Sequence, residues 1–277
     1  MKNTVVTFRA AKGQDTLVVL TAYDYSTARV MDDAGVNALL VGDSLGMVML
    51  GHEDTLSVSM DDMIRHCAAV ARAADQALVI CDMPYMSYHT SVDEAVRNAG
   101  RLVTEGRAQA VKLEGGSEFC DVVKALVRAS IPVMGHLGLT PQSVNAFGGF
   151  RMQGKTPSAA QKLLDDARAL QDAGAFALVL ECVPAPLAER VTQALAIPVI
   201  GIGAGAGCDG QVLVWQDMTG MTLSHLPRFV KRFGEVGASL RSAVEAYARE
   251  VRAGAFPTDD HGYPLPEGME KTLKKLK

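Results

Sequence analysis

Five short apolar runs in this chain each deliver an ionisable side chain at the same end. Ala38-Leu39-Leu40-Val41 passes through Gly42 to Asp43 and Ser44, and Ala77-Leu78-Val79-Ile80-Cys81 leads to Asp82. Ala110-Val111-Lys112-Leu113 leads to Glu114, Ile131-Pro132-Val133-Met134-Gly135 to His136, and Phe176-Ala177-Leu178-Val179-Leu180 to Glu181. A short apolar run that stops at a turn or a polar residue suits a strand covered on both faces, as in a parallel sheet flanked by helices. If such strands close into a barrel, their C-terminal ends share one face, the face on which barrels of this kind carry their chemistry.

Three further runs complete the set: Leu17-Val18-Val19-Leu20, Ile197-Pro198-Val199-Ile200 and Gln211-Val212-Leu213-Val214. Helical patterns lie between most of them. Asp24 or Ser26 can cap one ending at Gly35, Ser59-Met60-Asp61-Asp62 and Ser91-Val92-Asp93-Glu94 have capping-box spacing, and Ser117 can cap another. Further helices are expected over 158–173, after Pro184, and from Pro227 onward, where Phe229, Val230, Phe233, Val236, Leu240, Val244, Tyr247 and Val251 form a pattern that would close the fold. Eight strand signals interleaved with helices predict an α/β fold, a single (β/α)8 TIM-type barrel over residues 1–277. The N-terminal segment 1–15 and the C-terminal helix and tail 227–277 pack on it or extend from it. The weakest joint is 201–210, too short for a crossover helix. The loop 136–157, lying above the strand ends, is placed for function.

Composition narrows the partners. A net charge of −4 gives no reason to expect nucleic acid or an anionic membrane surface, and the basic tail 271–277 reads as a solvated end. No signal-length apolar segment opens the chain, no run of 18 apolar residues occurs, and five cysteines show no C-x-x-C spacing, so reduced thiols in the cytoplasm are expected. Cys182, beside Glu181, reads as core packing before it reads as a nucleophile. The run Gly201-Ile202-Gly203-Ala204-Gly205-Ala206-Gly207 does not open a long helix as a dinucleotide site requires and reads as a tight turn.

Any one of the ionisable residues has a bland reading: a helix cap, a structural ion pair, a satisfied core histidine, a surface salt bridge. Together they do not. Asp43, Asp82 and Glu114 on adjacent strand ends repel one another and are costly to desolvate, which a hard divalent cation such as Mg²⁺ would relieve. Lys112 alternates with apolar neighbours and points inward with Glu114, where it can form a Schiff base or hold an anionic substrate oxygen; the sequence leaves those two open. His136 would hydrogen-bond substrate, and Glu181, desolvated, would remove a proton. The set suits a barrel enzyme in which a metal chelates a 2-oxo acid and Glu181 takes the adjacent C–H proton to give an enolate.

Longer strings carry a resemblance. Val41-Gly42-Asp43-Ser44-Leu45-Gly46-Met47, Asp82-Met83-Pro84-Tyr85-Met86-Ser87-Tyr88, Val111-Lys112-Leu113-Glu114-Gly115-Gly116, residues 135–143 with Phe147-Gly148-Gly149-Phe150, Leu180-Glu181-Cys182-Val183-Pro184 and residues 200–211 resemble the ketopantoate hydroxymethyltransferase family over nearly the whole chain. The resemblance implies transfer of a one-carbon unit from 5,10-methylenetetrahydrofolate to 3-methyl-2-oxobutanoate, giving 2-dehydropantoate for pantothenate synthesis. It implies one Mg²⁺ per subunit on Asp43, Asp82 and Glu114. Substrate contacts would come from Asp43, Ser44, Asp82, Lys112 and His136, with Glu181 as proton acceptor. A cytoplasmic homo-oligomer, a decamer, is also implied, with small molecules as the other partners. Tyr85 stands where phenylalanine is commoner in the family, and Cys81 where a non-thiol is. Competing readings are a Mg-dependent lyase or mutase of the isocitrate lyase and phosphoenolpyruvate mutase type, a Lys112 Schiff-base aldolase, and a catalytically silent barrel acting as a binding subunit.

Overall fold

Alternation along each strand divides the interior into two separate cores. In the computed structural model, which describes residues 2–222 and 226–276, the strands are β1 (Leu17–Thr21), β2 (Ala38–Val41), β3 (Leu78–Asp82), β4 (Ala110–Glu114), β5 (Val133–Gly138), β6 (Ala177–Glu181), β7 (Val199–Ile202) and β8 (Gly210–Leu213). Leu39 and Val41 of β2, Val79 and Cys81 of β3, and Val111 and Leu113 of β4 pack outward, in one cluster with helix residues such as Met63, Ala95 and Leu126. Their neighbours Ala38, Leu40, Leu78, Ile80, Ala110, Met134, Ala177 and Val179 form a second cluster inside the barrel. All eight strands pair in parallel and in chain order, and β8 returns to β1. The closed α/β TIM-type barrel expected from the sequence is the observed fold.

Six helices wrap the outside: α2 (Tyr25–Asp33), α3 (Met60–Ala73), α4 (Val92–Thr104), α5 (Cys120–Arg128), α6 (Pro157–Asp172) and α7 (Ala185–Ala194). Capping sets where they start. Asp24 accepts the Thr27 N–H, Ser59 and Asp62 make the reciprocal capping box, and Ser91 accepts the Glu94 N–H. Ser117 behaves differently from expectation. It opens a 3-10 turn, and its hydroxyl donates to Asp166 of α6 at 2.8 Å, so α5 begins only at Cys120. As the spacing implied, no helix lies between β7 and β8.

The N-terminal mouth is closed by a helix the sequence reading left unassigned, α1 (Val5–Ala10), capped by Thr4. Its Phe8, 1% exposed, stacks edge-on against Phe176 with ring centroids 5.8 Å apart. The C-terminal helix departs from expectation. It runs as α8 over Val236–Arg252 rather than from Pro227, and it contributes no buried residue. Leu240, Val244, Tyr247 and Val251 form an exposed apolar stripe instead of closing the fold. The tail beyond it is also exposed; Lys277 lies outside the described residues.

Emptying the mouth should cost what a large buried aromatic normally does. Phe8→Ala is expected to lower unfolding free energy by about 3–5 kcal/mol, measured by urea denaturation.

Candidate active site

Continuing the inward row of each strand by two residues turns an apolar interior into a charged one. Leu78 and Ile80 are followed by Asp82, Ala110 by Lys112 and Glu114, Met134 by His136, and Ala177 and Val179 by Glu181. Register then sets neighbours: Asp82 lies beside Lys112 and Glu114 beside His136. Asp43 arrives from the turn after β2, where its backbone N–H donates to Asp82 Oδ2 at 3.1 Å. Gly42 makes this approach possible, because a Cβ there would come within 2.8 Å of Ser44 Oγ. The Ser44 hydroxyl is hydrogen-bonded to that of Tyr23, 2.8 Å away. At the rim opposite, Gly138 holds φ +92° where a Cβ would strike the Glu181 carbonyl, so the end of β5 can lie flat against β6.

All seven residues singled out by the sequence therefore meet at the C-terminal face. Asp43, Asp82, Lys112, Glu114 and His136 are each under 5% exposed. Glu181 differs from the expectation of full burial: its side chain keeps 16% exposure, which leaves it reachable from above.

The electrostatics assign states. Lys112 Nζ lies 3.0 Å from Asp82 Oδ1. Burial alone would discharge it, but Asp82, Glu114 and Asp43 outweigh that and hold its pKa above the ordinary lysine value. A Schiff base needs a neutral amine, so the geometry favours the other role, an ammonium facing an anionic oxygen. His136 sits between two carboxylates, Nδ1 3.3 Å from Glu114 and Nε2 3.3 Å from Glu181, the latter without hydrogen-bond alignment. Burial and Lys112 oppose its charge, yet Glu114 and Glu181 prevail and push the imidazole up to about 9. Burial, with repulsion from Glu114 and Asp82, raises Asp43 well above the usual carboxylate range, and burial raises Asp82 despite Lys112. Glu114 moves down, because hydrogen bonding and attraction from His136, with Lys112, overcome its own burial. Cys182 is pushed up to about 11 by burial and by Glu181, so it stays a thiol and no nucleophile.

Four carboxylates thus lie around Lys112 and His136, whose Nδ1 also lies 3.3 Å from Lys112 Nζ. Asp82 Oδ1 is buried without a hydrogen-bond donor, having only the Lys112 ion pair. An excess of hard, desolvated anionic oxygens is the donor set of Mg²⁺. Among the described residues no three Asp, Glu, His or Cys side chains are drawn close enough to enclose an ion by themselves. Mg²⁺ ordinarily takes one or two carboxylates and completes its octahedron with water and substrate oxygens, so the residues fit.

Two residues at the site were not recognised in the sequence. Gln142, in the turn after β5, donates from its side chain to Asp43 Oδ2 and from its backbone to Glu114 Oε2. Tyr88 is buried and donates to the Gln142 side-chain oxygen at 2.7 Å, while Tyr85 lies exposed. The only prior signal was their place in motifs flanking the strand ends.

The family model for ketopantoate hydroxymethyltransferase matches residues 2–259. The chain belongs to the ketopantoate hydroxymethyltransferase family. It is 58% identical over 277 residues, the full length of both chains, to the 3-methyl-2-oxobutanoate hydroxymethyltransferase of Enterococcus faecalis. It is 58% identical over 270 residues to that of Clostridium novyi, covering 97% of this chain and 98% of the relative. Family membership makes it an enzyme, transferring a hydroxymethyl unit to 3-methyl-2-oxobutanoate, and disfavours the lyase, mutase and silent-barrel readings. The fold is shared more widely. A 2,3-dimethylmalate lyase aligns over 99% of both chains with TM-score 0.58 and 18% identity. A phosphonopyruvate hydrolase in complex with oxalate and Mg²⁺ aligns over 98% of this chain and 95% of its own, with TM-score 0.61 and 14% identity.

The His136 state has a pH signature. An imidazole raised from 6.5 to about 9 on folding stabilises the protein fully below about pH 6.5, and that contribution is lost as pH rises through about 9. In metal-free protein, urea unfolding across this window should show wild type losing stability that His136→Gln does not lose.

Proposed function

We propose that the chain transfers a hydroxymethyl unit from 5,10-methylenetetrahydrofolate to 3-methyl-2-oxobutanoate, with Glu181 as base, Lys112 as the cation for the developing oxyanion, and Asp43, Asp82 and Glu114 as the Mg²⁺ site. The observation that carries this reading is the inward row of ionisable residues at the strand ends, with a charged lysine on β4 and a partly open glutamate on β6 either side of His136.

Asp43, Asp82 and Glu114 would hold the ion directly or through water. When bound, Mg²⁺ supplies Lewis-acid charge against the ketone and carboxylate oxygens of the 2-oxo acid. The phosphonopyruvate hydrolase of the same fold, whose structure contains oxalate and Mg²⁺, supports such a pairing of dianion and metal. Glu181 takes the C3 proton; the C3–H electron pair moves into the C2–C3 bond, and negative charge grows on the ketone oxygen. Lys112, pre-charged and fixed by Asp82, faces that oxygen without reorganising. His136 keeps the Glu181 carboxylate oriented through its 3.3 Å ion pair, and Ser44, held by Tyr23, offers a hydroxyl to the substrate carboxylate. Water adds to the methylene carbon of the folate donor as its two C–N bonds break and tetrahydrofolate leaves, releasing formaldehyde; the enolate C3 bonds to that carbon, the carbonyl π pair moves onto its oxygen, and the proton held by Glu181 goes to this alkoxide to complete the hydroxymethyl group.

Proton exchange at C3 of 3-methyl-2-oxobutanoate in D₂O, followed by NMR, tests this without folate. Exchange is expected to require Mg²⁺ and to fall about 100-fold or more in Glu181→Gln. Exchange indifferent to both would remove Glu181 and the metal from the mechanism.

Self-association belongs to the same reading, and the α8 stripe supports it. An apolar face of Leu240, Val244, Tyr247 and Val251 left in water is costly and suits burial against another copy. The assembly is a homo-oligomer, the family resemblance implying a decamer. Five free cysteines fit a reducing cytoplasm, and among the described residues no helix is long and apolar enough to cross a membrane. Light scattering should find an oligomer for wild type and a smaller species for Leu240→Asp/Val244→Asp; a monomeric wild type would contradict the assembly.

A further inference from the structure

One buried residue touches both outer carboxylates of the site, through its side chain and its backbone. Gln142 Nε2 donates to Asp43 Oδ2 at 2.8 Å, and the backbone N–H of the same residue donates to Glu114 Oε2 at 2.9 Å. Among the described residues, Gln142 is the one hydrogen-bond donor to the Asp43 carboxylate. The second Nε2 hydrogen goes to the Met83 carbonyl at 3.0 Å, and the side-chain oxygen accepts from the Tyr88 hydroxyl at 2.7 Å. The amide cannot flip, since its oxygen would then meet a carboxylate and a carbonyl. Tyr88 is anchored in turn, accepting the Glu114 backbone N–H at 3.1 Å, so the loop of contacts closes on β4 where it began.

A core hydrogen bond that merely satisfies a buried amide would not need two carboxylates as its targets. Like-charged carboxylates in a dry site swing apart unless held, and each rotation costs a metal its preorganised ligands. Gln142 counters this from one backbone position on the 3-10 turn Pro141–Ser143. We propose that Gln142, locked by Tyr88, is a positioning residue that fixes the Asp43 and Glu114 carboxylates for the divalent cation. Its side chain occupies Asp43 Oδ2 and leaves Oδ1 for the ion. Its backbone keeps Glu114 turned in, so the ligands from β2 and β4 hold their spacing before any metal arrives. This rests on the metal reading above, and the test separates the two.

Metal-free protein is titrated with Mn²⁺ alone, free ion being followed by EPR, for wild type, Asp43→Asn, Gln142→Met, Tyr88→Phe and the Gln142→Met/Tyr88→Phe double variant. Gln142→Met is expected to weaken Mn²⁺ binding about 10- to 100-fold, the usual range for residues that orient metal ligands. Tyr88→Phe should weaken it by a smaller factor. The double variant should be little worse than Gln142→Met alone, because Tyr88 acts through that amide. Circular dichroism melts report folding, and if Gln142→Met does not fold, Tyr88→Phe, which keeps the ring, carries the test. Folded Gln142→Met and Tyr88→Phe that bind Mn²⁺ within twofold of wild type overturn the inference, while loss in Asp43→Asn alone leaves the metal reading standing. Wild type that takes up no Mn²⁺ overturns both.

Discussion

Buried like charges are the constraint to which the upper half of this barrel answers. Asp43, Asp82 and Glu114 are desolvated side by side, and in a low-dielectric interior each would rather be neutral or apart. The surrounding contacts read as answers to that repulsion. Lys112 lies against Asp82, His136 is drawn between Glu114 and Glu181, and backbone and amide N–H groups are spent on the remaining oxygens. Repulsion among these carboxylates is what the proposed Mg²⁺ would relieve. Its cost is met by the apolar core around it.

That core works because the two faces of each strand are assigned different tasks. Outward residues on β2, β3 and β4 hold the helices, while the inward rows are apolar at the bottom and ionisable at the top. Phe8 and Phe176 pack edge-on at the lower mouth, at the end of the barrel opposite the charged layer. The same division leaves the spacing of Asp82, Lys112, Glu114 and His136 to strand register and not to the helices.

The outer surface is less complete than the inner one. No helix lies within the β7–β8 connection, and α8 carries its apolar stripe into solvent. The exposed stripe is the surface that the proposed self-association would cover.

Strand positions, barrel closure and the meeting of the seven candidate residues at the strand ends were legible because each depends on short-range pattern: apolar runs, turn glycines and the two-residue period that put Lys112 and Glu114 on one face. Helix starts at Asp24, Ser59 and Ser91 were legible for the same reason. Ser117 was misread because its hydroxyl found Asp166, 49 residues away, a competitor no local rule contains. The α8 stripe has a core-like period, and only three-dimensional placement reveals that nothing in its own chain covers it. Gln142 and Tyr88 were invisible as site residues, since an amide and a phenol acquire their role from partners on three different strand ends. Sequence determined which chemistry the barrel mouth could hold. Tertiary structure alone decided the direction in which Lys112 and His136 are shifted and the grip on Asp43 and Glu114, because burial and through-space charge are properties of neighbours the chain brings together only on folding.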